Sequence, residues 1–269
     1  MGILNLTEDS FSDGAMFLDP HEALKHVDKM IANGAEIIDI GAESTRPGAL
    51  PVALETELER IMPVLKAIKS RYPHICCSID TRKAEVAMKC IALGAEIIND
   101  ISALSYDPEM TKVLASHPRV KVILMHMQGT PETMQINPEY ADVVTEIRDY
   151  FSSLISRCVQ RGILKENIMI DPGIGFGKNL EHNLALLANL DCLVPFEVPV
   201  VLGASRKRFI NEIHPSEPLQ RLGGSLAATA WGIMKHVEII RVHDVAGHLQ
   251  FAKVFMAIAK EERIAECPF

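Results

Sequence analysis

Short apolar runs recur eight times along the chain, at 2–6, 36–41, 74–80, 96–101, 120–126, 168–171, 198–203 and 238–243. They are apolar almost throughout rather than alternating, which is the pattern of strands buried on both faces. Longer amphipathic stretches fill the gaps. Stretch 20–32 sets Leu24, Val27, Met30 and Ile31 on one side, and 54–70 carries Leu58, Ile61, Leu65 and Ile68 three or four residues apart. The longest, 138–162, ends at Gly162, a helix stop. Strand then helix, eight times over, predicts an α/β chain of the (β/α)8 TIM-barrel class, one domain over residues 1–269. An open doubly wound sheet is the structural rival, but it would usually show fewer strands and a fingerprint loop after the first. An internal echo favours the barrel. "NGAEIIDIGAES" at 33–44 resembles "LGAEIINDISAL" at 93–104, each a helix ending at Gly34 or Gly94 and then a strand rising into polar residues.

Composition narrows the class. A hydrophobic fraction of 48% supplies a sizeable core, but with only 5% aromatics Ile, Val, Leu, Ala and Met must fill it. A net charge of -8 is ill suited to a phosphate backbone, so nucleic acid is not expected as a partner. No apolar run reaches ~18 residues, so no membrane span is expected, and nothing reads as a signal peptide. Of the six cysteines, Cys76, Cys77, Cys90, Cys158, Cys192 and Cys267, none forms a C-x-x-C pair. Cys76 and Cys77, in an apolar run, read as small core or wall residues, and the pattern of the six suits a reducing, cytoplasmic setting.

In a barrel of this class, chemistry sits at the carboxyl ends of the strands. In order, those ends are Asn5, "GAESTRPGA", Asp80, Asn99 with Asp100, "MHMQG", Asp171, "GASRKR" and "RVHD". Any one of these polar groups could simply cap the following helix. Eight of them converging on one rim are harder to dismiss. The segment "IDPGIGFGK" at 170–178 invites a nucleotide-loop reading, but its spacing fits neither the P-loop nor the dinucleotide fingerprint. Its glycines are expected to let the backbone turn sharply beside a ligand, with Asp171 as the chemical group. Arg46, Arg206, Lys207, Arg208, Arg241 and His243 gather cationic character on the rim of an acidic chain, which suggests a phosphate or pyrophosphate substrate. The alternative is that some of them form ion pairs. The metal signal is modest: Asn5 beside such a site could offer oxygen to Mg²⁺. No catalytic triad is suggested.

These residues carry a resemblance. "MGILNLTEDSFSDG", "DIGAESTRPGA", "SIDTRK", "NDI", "LMHMQGTPETMQ", "DPGIGFGK", "GASRKRF" and "RVHDV" resemble the motifs of the dihydropteroate synthase family, in its order and over nearly the whole chain. The family joins 6-hydroxymethyl-7,8-dihydropterin diphosphate to p-aminobenzoate and releases diphosphate; sulfonamides compete with p-aminobenzoate. The resemblance implies that Asp80, Asn99 and Asp171 hold the pterin edge, that Ile101, Met125 and Gly203 wall the ring, and that Lys207 contacts the pterin. It implies that Asn5, Arg241 and His243 meet the diphosphate with Mg²⁺, and that Arg46 serves there or at p-aminobenzoate. Thr45, Pro47, Phe176 and Lys207 would shape the p-aminobenzoate pocket, and Phe11 would close over it. Asp80, Asp171, Lys207 and Arg46 would carry the catalysis. A homodimer is expected.

Some positions depart from the family's commonest pattern. Glu8 stands where proline is frequent, Ala15 where a second glycine is frequent, and Arg208 where a serine often meets the p-aminobenzoate carboxylate. The chain begins almost on its first strand, whereas the family usually has an extension there. Three other readings stay open at this point: a pterin-dependent methyltransferase, a non-catalytic pterin-binding module, and a phosphate-binding barrel isomerase.

Overall fold

The structure is a computed structural model that describes residues 1–7, 20–45 and 48–265. The eight expected strands are β1 Gly2–Asn5, β2 Ile37–Gly41, β3 Cys76–Asp80, β4 Ile97–Asp100, β5 Lys121–Met125, β6 Ile168–Asp171, β7 Val201–Leu202 and β8 Ile239–Ile240. β1 to β6 pair in chain order, all parallel, and β7 pairs with β8. Two parallel bridges close the ring. Ile170 with Val200 joins β6 to the segment entering β7, and Gly2 with Val242 joins the segment leaving β8 to β1. At the second seam Ile3 N donates to Val242 O at 3.0 Å and Val242 N to Met1 O at 2.9 Å.

Strands β7 and β8 are shorter than the apolar runs at 198–203 and 238–243 suggest. Pro199 has no amide to donate. Val200 N turns to the Glu238 side chain at 2.7 Å instead of a strand carbonyl. The ladder there is therefore locally interrupted.

The helices are α1 Pro20–Ala32, α2 Leu54–Arg71, α3 Ala84–Ala92, α4 Met110–Ser116, α5 Val143–Gln160, α6 Leu180–Ala188, α7 Arg208–Ile213, α8 Leu222–Met234 and α9 Val245–Ala265. Helix α5 starts later than residue 138. The Asp142 side chain accepts the amides of Val144 and Thr145, and Glu146 Oε1 accepts those of Ala141 and Asp142, which fixes the first turn at Val143. The echoed segments form the same unit twice. Gly34 and Gly94, at φ of 87° and 98°, end α1 and α3, and each is followed by an alanine amide that reaches back into the helix to Met30 O or Cys90 O.

The two-residue period of the strands assigns the side chains. Outward residues Leu4, Ile38, Ile40, Cys77, Ile79, Ile98, Val122, Leu124, Ile168, Ile170 and Leu202 pack against the helices in one continuous core. Inward residues Ile97, Ile123, Met169 and Val201, with Met1, Ile37, Cys76 and Ile239 against them, plug the amino-terminal half of the barrel. Above that plug the inward positions become polar. The barrel is thus a packed floor with a polar chamber over it.

Ile123 is fully buried in the plug. Ile123→Ala should lower unfolding free energy by about 2–5 kcal/mol, the range for such truncations. Urea denaturation followed by circular dichroism would measure it.

Candidate active site

Strand register places the chamber's side chains in one layer. Asn5 pairs with Gly41, Gly41 with Asp80, and Asp80 with Asn99, so these residues stand side by side at the carboxyl ends of β1 to β4. Asp171 enters from the end of β6, opposite Met125 on β5. The resulting slot is lined by Thr45, Asp80, Asn99, Ile101, Met125, Asp171, Gly173, Phe176, Gly203, Lys207 and Arg241. Apart from Gly173, every one is a residue that the sequence singles out.

Arg241 is the hub. Its Nε donates to Asp39 Oδ2 at 2.6 Å and its Nη2 to Asp80 Oδ2 at 2.9 Å. Asn99 Nδ2 donates to the same Asp39 oxygen at 3.2 Å. Asp39 lies one layer lower on β2 and has no exposed surface. Sequence reading missed it, although an acid in the middle of an apolar run should itself signal a buried cation nearby. Burial raises the Asp80 carboxyl to about 7; Arg241 opposes that rise and Asp39 adds to it. Burial alone would lower the pKa of Arg241, but Asp39 and Asp80 reverse it, so the guanidinium stays charged.

Asp171 Oδ1 accepts Gly173 N at 2.7 Å. A Cβ at position 203 would stand 3.4 Å from Asp171 Oδ2, so glycine keeps that side of the carboxylate open. Burial raises the pKa of Asp171, while the Gly173 amide and then Lys207 hold it back. The loop 173–177 does not form a phosphate cradle. A Cβ on Gly173 would fall 1.9 Å from His126 O, and one on Gly177 would fall 2.6 Å from Gln128 O. Both glycines also have positive φ, so they are needed for close packing of this loop on the one after β5. Lys178, only 2% exposed, points inward beneath the loop. Burial lowers its ammonium to about 7; Asp171 opposes the shift and Lys207 adds to it.

Lys207 Nζ lies 3.8 Å from the centroid of the Phe176 ring. It has no carboxylate in ion-pair contact among the described residues. Burial, and Arg241 after it, lower Lys207 to about 8. His243 packs beside it, with Nδ1 3.1 Å from Ser205 Oγ. Burial, then Arg206, Arg241 and Lys207, push the imidazole down to about 3, so it is neutral near pH 7.

The cationic rim expected from the sequence is therefore smaller than the list of basic residues implies. Arg206 forms a two-pronged pair with Asp244, at 2.9 Å and 2.6 Å. Arg208 is 73% exposed and pairs with Glu212 one turn along α7. Both guanidinium groups already have a carboxylate partner. The sequence held no local sign of the first pairing, which spans two loops.

The loop after β2 is anchored from behind. Glu43 accepts from Arg82, from Lys83 at 2.8 Å and from Val52 N at 3.0 Å. Lys83 also reaches Glu57 at 2.5 Å, and Thr81 Oγ1 donates to the same glutamate at 2.5 Å. This buried network holds Glu43 two residues before Thr45, which lines the slot. Phe11, Arg46 and Pro47 lie outside the described residues.

Among the described residues no group of three or more His, Cys, Asp or Glu side chains could hold a metal. Asn5 contributes one neutral amide oxygen on the rim, and Mg²⁺ characteristically keeps several waters and binds through few protein oxygens plus substrate phosphates. The donors fit an ion that arrives with a diphosphate.

Comparison with known proteins agrees with this geometry. Residues 1–243 match the family described as pterin binding enzyme. The chain is 47% identical over 265 residues to the dihydropteroate synthase of Escherichia coli (strain K12), covering 98% of this chain and 93% of that protein. It is similar to the Yersinia pestis dihydropteroate synthase solved with a sulfonamide drug complex, at TM-score 0.92 and 43% identity, covering 97% and 94% of the two chains. It is also similar to the Xanthomonas albilineans enzyme solved with 4-aminobenzoic acid, at TM-score 0.90 and 40% identity, covering 96% and 92%. The solved barrels share the closed fold found here. Identity at this level over nearly the full length sets aside the methyltransferase, binding-module and isomerase readings. The chain belongs to the dihydropteroate synthase family of pterin-binding enzymes.

Proposed function

We propose that this chain condenses 6-hydroxymethyl-7,8-dihydropterin diphosphate with p-aminobenzoate to give 7,8-dihydropteroate and diphosphate. The observation that carries the reading is the convergence of Asp80, Asn99 and Asp171 in one slot whose other end holds Lys207 over Phe176. A pterin presents an amino group and ring N–H donors along one edge. Asp80 and Asp171 accept from them, and Asn99 can donate or accept. Ile101 and Met125 give the ring apolar faces, and Gly203 leaves room at the Asp171 carboxylate. On the other side Phe176 meets the aromatic ring of p-aminobenzoate, and Lys207 and Thr45 reach its carboxylate. Phe11, Arg46 and Pro47 are proposed to complete that pocket.

The reaction needs no enzymic nucleophile. The bond between the pterin methylene and the diphosphate oxygen breaks, and its electron pair leaves with diphosphate. The aniline nitrogen supplies the pair for the new C–N bond and then loses a proton. Positive charge develops on the pterin as the leaving group departs, and the fixed carboxylates of Asp80 and Asp171 lie beside it. Arg241 and neutral His243 are proposed to meet the diphosphate, Arg241 as a cation and His243 as a hydrogen-bond donor. Asn5 would hold Mg²⁺, which when bound neutralises charge on the diphosphate.

The partner proposal is a second copy of the chain, in the cytoplasm. No helix among the described residues is long and apolar enough to cross a membrane. A cavity of about 600 Å³ is lined by residues other than those of the slot. It lies between α6, α7 and α8, where Leu184, Phe209, Ile210, Ile213 and Trp231 form an apolar groove. Trp231 and Ile213 are 43% and 58% exposed, an apolar surface of the kind that subunit interfaces cover.

Four measurements test the proposal. Product should form only when the pterin diphosphate, p-aminobenzoate and Mg²⁺ are all supplied; no turnover under those conditions would end the synthase reading. Asp171→Asn should weaken pterin binding by about 1.5–3 kcal/mol, the value of a charged hydrogen bond, and calorimetry would read it. The third is a pH dependence. Because the Asp80 pKa is raised to about 7, its carboxylate is lost as pH falls through that value, and a pterin donor then has no charged acceptor. Pterin affinity should therefore fall toward about tenfold per pH unit below about 7, and Asp80→Asn should flatten that profile. Finally, Trp231→Asp should halve the mass found by light scattering if the groove is the dimer face.

A further inference from the structure

Lys178 is the one basic residue of the glycine loop that the proposed reaction leaves without a task. Its surroundings are specific. Nζ is 3.0 Å from His126 Nδ1, 3.3 Å from His126 O, 3.0 Å from Gly173 O and 2.9 Å from Phe176 O. The first two partners belong to the segment after β5 and the last two to the loop after β6. The first segment continues from Met125 at the end of β5, which lines the slot, and the second lines it through Gly173 and Phe176. Among the described residues, no other side chain both bridges the two loops and holds the Phe176 carbonyl.

The rest of the loop shows why one lysine matters. Phe176 N donates to Gly173 O at 3.0 Å, so the loop folds into a tight turn. Gly175 is held by Asn183 through its amide and by Gln135 through its carbonyl, and the Gly177 carbonyl is held by Tyr140. Of the two carbonyls at the turn itself, that of Gly173 accepts from Lys178 as well as from Phe176 N, and that of Phe176 accepts from Lys178. Ile174 is fully buried in the main core and Phe176 packs with Ile101, Met125 and Met134, but the glycines around them contribute no side chains, so the path of the backbone through the turn depends on these bonds. The Phe176 ring is displayed on that turn, directly under the Lys207 ammonium.

We propose that Lys178 is a positioning residue for the aromatic acid substrate: it clamps the loop after β6 to the segment after β5 and so fixes Phe176 beneath Lys207. The inference rests on the synthase reading for the identity of that substrate, but not for the clamp. The pterin side of the slot is built on strand ends at Asp80, Asn99 and Asp171 and meets the turn through the Gly173 amide on Asp171, whereas the Phe176 ring is carried by the turn itself. Loss of the clamp should therefore affect one substrate more than the other.

The experiment uses purified full-length protein with Lys178→Met, which keeps length but removes the charge and all donors, and with Lys178→Arg, which retains donors. Lys178→Met should raise KM for p-aminobenzoate about tenfold or more, as expected for a misplaced binding group, while KM for the pterin diphosphate and kcat stay within about twofold. Lys178→Arg should recover part of the loss. Added to Phe176→Leu, Lys178→Met should have much less effect on that KM than it has alone, because it acts through the ring. A purely structural role would lower the thermal midpoint and active fraction without separating the two KM values. That result, or an unchanged KM for p-aminobenzoate, would overturn the proposal. If Lys178→Met does not fold, His126→Leu removes the ring partner and leaves the carbonyls; it should raise the same KM by a smaller factor, and no rise would overturn the proposal equally. Hydrogen exchange separates this test from the synthase reading, because it needs no turnover. The amides of Gly175 and Phe176 should exchange about tenfold faster in Lys178→Met if the lysine closes the turn, and equal rates would refute the clamp even if the wild-type protein makes no dihydropteroate.

Discussion

The contact on which the site depends is the bridge from Arg241 to Asp39 and Asp80. It links the last strand of the barrel to the second and third. Removing charges from water is costly, and a buried pair of this kind often contributes little net stability. Its value lies in what it fixes. The guanidinium needs two acceptors, and they must be on different strands. Asp39 lies one layer below Asp80, so Arg241 spans two layers of the chamber wall. Asn99 completes the arrangement by donating to Asp39. Remove the arginine and three buried carboxylates, those of Asp39, Asp80 and Asp171, face one another with less cationic compensation.

The same device recurs one level out. Polar groups of the rim loops are held by pairings between loops, not within them. Arg206 and Asp244 join the loops after β7 and β8, and Arg206 takes a left-handed φ of 58° to do so. A non-glycine residue pays strain for that conformation, and the two-pronged pair offsets it while presenting Lys207 and His243 side by side. Glu43, Arg82, Lys83 and Glu57 do the equivalent for the loops after β2 and β3. Burial would raise the Glu43 carboxyl, but Lys83, Val52 N and Arg82 draw it below its usual range. The rim is thus pre-shaped on a rigid floor, which is what electrostatic stabilisation of a developing charge requires.

This layering explains what could be read in the sequence. The eight strands were legible because burial on both faces writes continuous apolar runs, and the chamber was legible because those runs end in Asn5, Asp80, Asn99 and Asp171. The limits of β7 and β8 were not, since Glu238 replaces a ladder bond with a side-chain bond that leaves no periodic trace. Asp39 was overlooked because it sits inside a run rather than at its end. The list of rim cations overstated the free charge for a related reason. Whether Arg206 binds an anion or Asp244 is decided by how two loops meet across 38 residues of sequence, and no local pattern records that meeting. Lys178 is the sharpest case: the spacing of the glycine run argues against a phosphate loop, but only the fold shows the lysine amine turned inward onto carbonyls.

The electrostatic balance of the chamber also accounts for how an acidic chain can serve an anionic substrate. Asp39, Asp80 and Asp171 are set against Arg241, Lys207 and Lys178 in nearly dry surroundings. Burial pushes the acids Asp80 and Asp171 upward and the amines Lys178 and Lys207 downward, so each of these groups is easier to neutralise than it would be in water. These four groups can become more strongly ionised when a partner of opposite charge is supplied. A pterin edge favours the carboxylates, and a diphosphate or an aromatic carboxylate favours the cations. Substrates of opposite local polarity therefore reinforce each other's subsites through the shared Arg241 and Lys207, and the chain's net charge of -8 resides elsewhere on the molecule.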